Sequence, residues 1–372
     1  MKILPPEWKK FRDSRTGREL WQITSAPCKN EAVYFECQGF SADSRHLLFQ
    51  SNRSGQTELY LADLESGELR QLTENSGEME YSLNVHPDGR HIYYTGHDAV
   101  WRVDIATGGQ ERVFANEGRY PGLLWGYPLS FSGDGRLAAV AVMDRGRMTP
   151  IPGGIGAREG PDCRLILVDL FTGDHRLVCH WPTGFSHPMI CPGDDNLITF
   201  VPNGNMCWNM DLPREQRVRM CRADARTGEV TPYLCPPRFR TITHESWSPD
   251  GERLFFFDKN AGEWTPVTVA SMKRDGTDWR AHFTSYEHRL GHGVCSPDGR
   301  FFVADVQNKH HSPLFLIDLQ SGRHEILCWP DASNDGGHAA AAHVHPSFSR
   351  DGRFITHTSD KTGHPQVFVV PL

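Results

Sequence analysis

One short element, written seven times, constrains this chain more than anything else in it. A turn of the Ser-Pro-Asp-Gly-Arg type followed by an apolar run occurs as SADSRHLLF (41–49), HPDGRHIYY (86–94), SGDGRLAAV (132–140), CPGDDNLITF (191–200), SPDGERLFFF (248–257), SPDGRFFVA (296–304) and SRDGRFITH (349–357). A second turn, Asp-x-x-(Ser/Thr)-Gly, follows an apolar strand at Asp63–Gly67, Asp104–Gly108, Asp169–Gly173, Asp224–Gly228 and Asp318–Gly322, with a weaker form at Asp275-Gly276; its seventh copy, Asp13–Gly17, lies at the other end of the chain. Asp and Gly tolerate the left-handed backbone of tight turns, Asp and Ser bond their own backbone, and β-branched and aromatic residues suit the flanking strands. Two such hairpins make one four-stranded antiparallel unit. Successive first turns are 45, 46, 59, 57, 48 and 53 residues apart, the period of a propeller blade with insertions in the middle. The expected fold is all-β, a seven-bladed β-propeller occupying residues 1–372 as a single domain.

The ends of the chain predict how the ring closes. The last repeat supplies three strands, at about 343–348, 353–358 and 366–371, while Glu19-Leu-Trp-Gln-Ile-Thr24 near the N-terminus copies the fourth strand of the first blade, Glu68-Leu-Arg-Gln-Leu-Thr73. Residues 19–24 should therefore complete the last blade and remove its exposed edge. Two longer excursions, 144–162 and 202–216, read as loops over one face.

Composition excludes several classes of partner. A net charge of −7 and the lack of any long basic run argue against nucleic acid. Nothing in the sequence spans a membrane, and the opening MKILPPEWKKF lacks the apolar core of a secretory signal, which predicts a cytoplasmic protein. Ten cysteines scattered without paired spacing then read as reduced core thiols.

Aligning the blades by their first turns brings histidines into register. Six residues before the turn's Asp, or its equivalent, stand His187, His244, His292 and His345 in four consecutive blades, where the first three blades carry Cys37, Ser82 and Pro128. This position opens the innermost strand, and in a propeller those openings converge on one end of the central channel. His343 precedes His345 by two residues, so strand periodicity puts both on one face. Neutral imidazole is the commonest side-chain ligand for first-row divalent metals, and three or four from neighbouring blades suffice to hold one ion with a position open. His86, His175, His310, His311, His324 and His364 belong to turns or loops and are expected at the surface. No nucleophile elbow, phosphate loop or dinucleotide fingerprint is present.

These residues resemble those of the oligogalacturonate lyases of polysaccharide lyase family 22. The likeness covers nearly the whole chain, through PPEWKKFRDSRTG, LLFQSNRSG, SHPMICPGDDN, THESWSPDG and, most specifically, AHVHPSFSRDG. The resemblance implies a seven-bladed propeller with one divalent metal, typically manganese, at the channel mouth. It makes His292, His343 and His345 the metal ligands, His244 the catalytic base, and Arg219 the group that meets the substrate carboxylate. His187 is then a substrate contact or a support for the other groups. Where the family has a glutamine ligand three positions before His-x-His, this chain has Ala340, which implies more water on the metal.

The implied reaction is β-elimination on short, 4-linked uronate oligosaccharides such as those of pectin. Its demands suit histidines and an arginine: a base for the C5 proton, and positive charge on the adjacent carboxylate. The alternative from another class is a non-catalytic propeller similar to the TolB type, binding protein or glycan without metal or turnover.

Overall fold

The computed structural model describes residues 1–78, 81–125, 128–150, 159–203, 211–334 and 342–372. Its strands form seven antiparallel sheets arranged as the blades of a propeller, and the only helix among these residues is a single 3-10 turn at Arg214–Gln216. None is long and apolar enough to cross a membrane.

The repeated turns do what their residues dictate. In blade 5, Ser248 Oγ donates to Asp250 Oδ1 at 2.6 Å, the same carboxylate oxygen accepts the Glu252 N–H at 3.0 Å, and Ser248 Oγ accepts the Arg253 N–H at 2.9 Å. The pattern recurs at Ser41/Asp43, Ser132/Asp134, Ser296/Asp298 and Ser349/Asp351. Each turn saturates its own polar groups and so fixes where the next strand begins. Gly251 shows why one position cannot carry a side chain: its φ is +67° and an added Cβ would lie 1.7 Å from the Pro192 carbonyl oxygen of the preceding blade.

The ring closes through the N-terminus. Glu19–Gln22 pairs with Gln366–Pro371, Trp21 opposite Val369 and Gln22 opposite Phe368. Its kinship with blade 1 extends to side chains: Gln22 Nε2 donates to the Thr24 carbonyl at 2.8 Å, as Gln71 Nε2 does to that of Thr73 at 2.9 Å. Ile23, Val367 and Val369 of blade 7 pack with Phe40, Leu47 and Phe49 of blade 1 in one buried cluster, each such side chain contributing about 1.5–3 kcal/mol. Two strands went unread in the sequence. Lys9–Arg12 adds a fifth strand outside blade 7, and Lys2–Leu4 a fifth outside blade 1. Both are short and mostly exposed, so they lack the apolar alternation that would have revealed them.

Three surface expectations are corrected. Much of the 144–162 excursion is not loop: strands Leu137–Pro150 and Glu159–Asp169 continue their ladder past an irregularity, pairing Met148 with Pro161 and Pro150 with Glu159. That extension projects beyond the core with its residues exposed on both faces, so no apolar period marks it. His86 is buried, donating from Nε2 to the Gly135 carbonyl at 2.7 Å, because the turn of blade 3 covers that of blade 2. His175 is half-buried against Phe114. His310, His311, His324 and His364 are exposed as expected. All nine described cysteines are free thiols, seven of them buried. Cys207, His338, Ala340 and residues 204–210 of the 202–216 excursion lie outside the described residues.

One buried histidine makes stability depend on pH. His357 stacks on Phe368 with both ring nitrogens unpartnered, and burial pulls its pKa down to about 3. Above the ordinary value of about 6.5 neither folded nor unfolded chain binds this proton; below it only the unfolded chain does, so stability is lost as pH falls. In chemical denaturation between about pH 6.5 and 5, His357→Leu should reduce the slope of stability against pH by about 1.4 kcal/mol per pH unit. A slope equal to that of the parent would contradict this.

Candidate active site

The register position that carries histidine is also where the inner strands break their ladders. Pairing is interrupted between Ser186 and Met189, between Thr243 and Ser246, and between Leu290 and Gly293, so His187, His244 and His292 all sit on bulges. A bulge frees a residue from the alternation of the strand and re-aims its side chain. His187, His244 and His345 adopt positive φ of 51°, 54° and 45°, a conformation that costs a non-glycine residue about 1–3 kcal/mol and persists where surrounding structure enforces it. His187 and His244 thus combine a bulge with a positive φ, His292 has the bulge alone and His345 the positive φ alone. These devices turn the imidazoles toward the axis.

Three imidazoles form a tight group. The ligand nitrogens of His292, His343 and His345 lie within 4.8 Å of one another, with His292 and His345 buried and His343 half-buried. The ring centroids of His292 and His345 are 4.2 Å apart. Behind them stands Asp305, which accepts the His292 N–H at 2.7 Å, approaches His292 Nδ1 at 2.9 Å and accepts the His345 N–H at 3.3 Å. With a proton on Nδ1 donated to that carboxylate, His292 presents the lone pair of Nε2, the arrangement that orients and strengthens a metal-binding imidazole. The Gln307 amide packs 3.4 Å from both nitrogens of the same ring. Burial and the neighbouring His292 and His343 hold His345 well below the usual histidine range, so its imidazole is neutral at neutral pH. Neutral nitrogen donors at this spacing fit one divalent first-row cation, with room for water or substrate oxygen.

His244 stands beside this group without joining it. Its ring lies 4.4 Å from that of His292, and its buried Nδ1 has no hydrogen-bond partner. Burial, then His292 and Arg219, hold its pKa well below normal. Arg219 is fixed by a two-point ion pair, Nε to Glu245 Oε1 at 2.6 Å and Nη2 to Oε2 at 2.8 Å. Glu36 completes that corner: burial and repulsion from Glu245 raise its pKa well above the usual carboxylate range, so it is the neutral partner of the set. His187 is reached through Tyr34, whose hydroxyl is 3.2 Å from its Nε2; burial and Arg219 bring the His187 pKa down to about 4.

The six residues singled out in the sequence therefore converge at one end of the channel, while Asp305, Gln307, Glu245, Glu36 and Tyr34 were missed. Glu245 adjoins His244, Asp305 lies on the strand Phe301–Val306 that pairs with the His292 strand, and Gln307 directly follows it, so adjacency could have suggested them. Tyr34 and Glu36 carried no such signal. In blades 1 and 2, Tyr34, Phe35 and Tyr81 fill the space the histidines occupy elsewhere.

Comparison with known proteins follows the same lines. The sequence profile described as oligogalacturonate lyase matches residues 1–372. An oligogalacturonate lyase of Dickeya dadantii (strain 3937) is 26% identical, covering 97% of this chain and 95% of its own length. An oligogalacturonide lyase of Pectobacterium atrosepticum is 25% identical over 99% and 97%. Among solved structures, an oligogalacturonate lyase in complex with manganese superposes with a TM-score of 0.86 at 24% identity, over 100% of this chain and 97% of the other. That of Vibrio parahaemolyticus gives 0.84 at 22%, over 100% and 98%.

Proposed function

This chain belongs to the oligogalacturonate lyase family, a family of polysaccharide lyases, and from that premise we propose that it cleaves 4-linked uronate oligosaccharides by β-elimination, with His244 as base and His292, His343 and His345 as the ligands of a divalent metal. The observation that carries this reading is the pairing of a three-imidazole group with a separate imidazole, that of His244, whose ring is 4.4 Å from His292 and whose Nδ1 has no hydrogen-bond partner. Manganese is the proposed ion, supported by the manganese complex of the related structure.

The C5 proton of a uronate is weakly acidic because its removal places more negative charge beside a carboxylate. Arg219 neutralises that carboxylate, its guanidinium held in place by Glu245, and so stabilises the enolate-like state as it forms. His244 takes the C5 proton on a nitrogen that burial keeps unprotonated. The electron pair of the C5–H bond becomes the C4=C5 double bond as the C4–O4 bond breaks, its electrons going to O4, which takes up a proton from water and leaves as a sugar hydroxyl. Tyr34 and His187 shape the opposite wall. A bound divalent ion supplies further positive charge for the carboxylate.

Mass spectrometry of the products tests the reaction type. Elimination yields fragments whose masses add up to that of the substrate, whereas fragments heavier by one water would replace this reading with hydrolysis. Arg219→Ala should lower kcat/KM by about 10²–10³-fold, the loss typical of one transition-state donor. Steady-state kinetics on oligogalacturonate check it, and an unchanged kcat/KM would remove Arg219 from the mechanism.

A further inference from the structure

A second cationic site adjoins the strands that carry His244 and His292. Lys259 is on the strand Arg253–Asn260, opposite Thr241 in the ladder, three residues before His244 on the neighbouring strand. Arg289 immediately precedes Leu290–Cys295, the strand that carries His292. Both cations sit on one indole: Lys259 Nζ is 4.0 Å from the Trp264 ring centroid and Arg289 Cζ is 3.1 Å from it. Lys259 is 7% exposed, and the Nε of Arg289 is buried without a hydrogen-bond partner. Among the described residues neither has a carboxylate partner, and the charges felt by Lys259 are those of Arg289 and Arg219.

A buried lysine and a half-buried arginine on one ring are an expensive arrangement unless something anionic completes it, because burial without a counter-charge is opposed by desolvation and by mutual repulsion. The lowering of the Lys259 pKa to about 8 reports that cost. Trp264 itself remains half-exposed, leaving part of the indole as an apolar platform beside the two cations. An anion with a flat, partly apolar body suits this corner.

We propose that Lys259, Arg289 and Trp264 form a binding site for the carboxylate of a second uronate residue, adjacent to the one held by Arg219. The assignment rests on the lyase reading, which supplies the substrate: an oligouronate carries one carboxylate on every sugar, so a chain threaded past His244 presents a second anion nearby. The site selects for oligomers bearing free carboxylates over esterified ones.

Binding is measured by calorimetry in manganese buffer on the His244→Ala background, where the ligand is not consumed, using digalacturonate and its fully methyl-esterified form. The parent should prefer the free acid by at least ten-fold. Adding Lys259→Met should reduce that preference by at least ten-fold, Arg289→Gln should act in the same direction, and Lys259→Arg should retain most of the preference. Circular dichroism checks that each variant is folded. An unchanged preference in folded Lys259→Met and Arg289→Gln would overturn the proposal. Turnover by the unsubstituted enzyme is read separately: its presence alongside an unchanged preference sinks this site alone, and its absence on every uronide sinks the lyase reading. A lost preference in that second case would still support the carboxylate site.

Discussion

Replacing His244 with alanine should abolish most turnover, by about 10²–10⁴-fold, the usual contribution of a positioned general base, while leaving metal content intact. The two halves of this expectation come from one geometry. The ligand nitrogens of His292, His343 and His345 converge within 4.8 Å and His244 is not a member of that group, yet its ring is 4.4 Å from His292 and its Nδ1 has no partner. The residue is close enough to act on a substrate held at the metal and is not needed to hold the metal. Elemental analysis and initial rates on the same preparation decide the matter. Metal lost together with activity would make His244 a ligand and leave the base to be sought elsewhere, His187 first.

His292→Ala should fail on both counts. It removes the central imidazole of the group, and it also takes from the Asp305 carboxylate, which is 1% exposed, the side-chain partner at 2.9 Å. Losing a hydrogen bond to a buried carboxylate typically costs about 1.5–3 kcal/mol, so a fall in thermal stability should accompany the loss of metal. Asp305→Asn separates the two effects. The imidazole then remains without its carboxylate, and metal affinity should drop by about 10–100-fold, as with other outer hydrogen-bond partners of metal-binding histidines. Metal titration monitored by calorimetry checks both variants. Full metal occupancy in folded His292→Ala would contradict the ligand assignment.

What the sequence disclosed was what repetition discloses. Seven turns of the Ser-Pro-Asp-Gly-Arg type counted the blades, and a copied Gln-x-Thr identified the strand that closes the ring. The same alignment exposed the four in-register histidines, because each stands at a fixed distance before its blade's first turn. The parts that stayed hidden depend on contacts with no period. Lys2–Leu4 and Lys9–Arg12 are edge strands whose pairing is set by what they lie against. Asp305 and Gln307 read as ordinary residues at the end of an apolar strand until it is seen that His292 sits on its partner. Tyr34 reaches His187 across the channel, 153 positions away in the chain, and Glu36 meets Glu245 only through the ring's closure. Lys259 and Arg289 look like two more surface cations, and only their shared indole shows otherwise. Arg219 was legible by family resemblance, but its clamp by Glu245 was not.

Net charge was similarly uninformative about the ligand. A chain of charge −7 concentrates Arg219, Lys259 and Arg289 near one end of its channel, beside a group of neutral imidazoles suited to a cation. Local arrangement, and not the global sum, sets the potential that an anionic sugar meets.

The central claim is elimination at a metal-loaded histidine site, and one absorbance trace addresses it most directly. Purified protein supplied with manganese and a short oligogalacturonate should produce a steady rise in ultraviolet absorbance from the new C4=C5 double bond conjugated to the carboxylate. The rise should stop on adding a chelator and resume when manganese is restored. A metal-loaded, folded protein that gives no such rise with any uronide oligosaccharide would contradict the account.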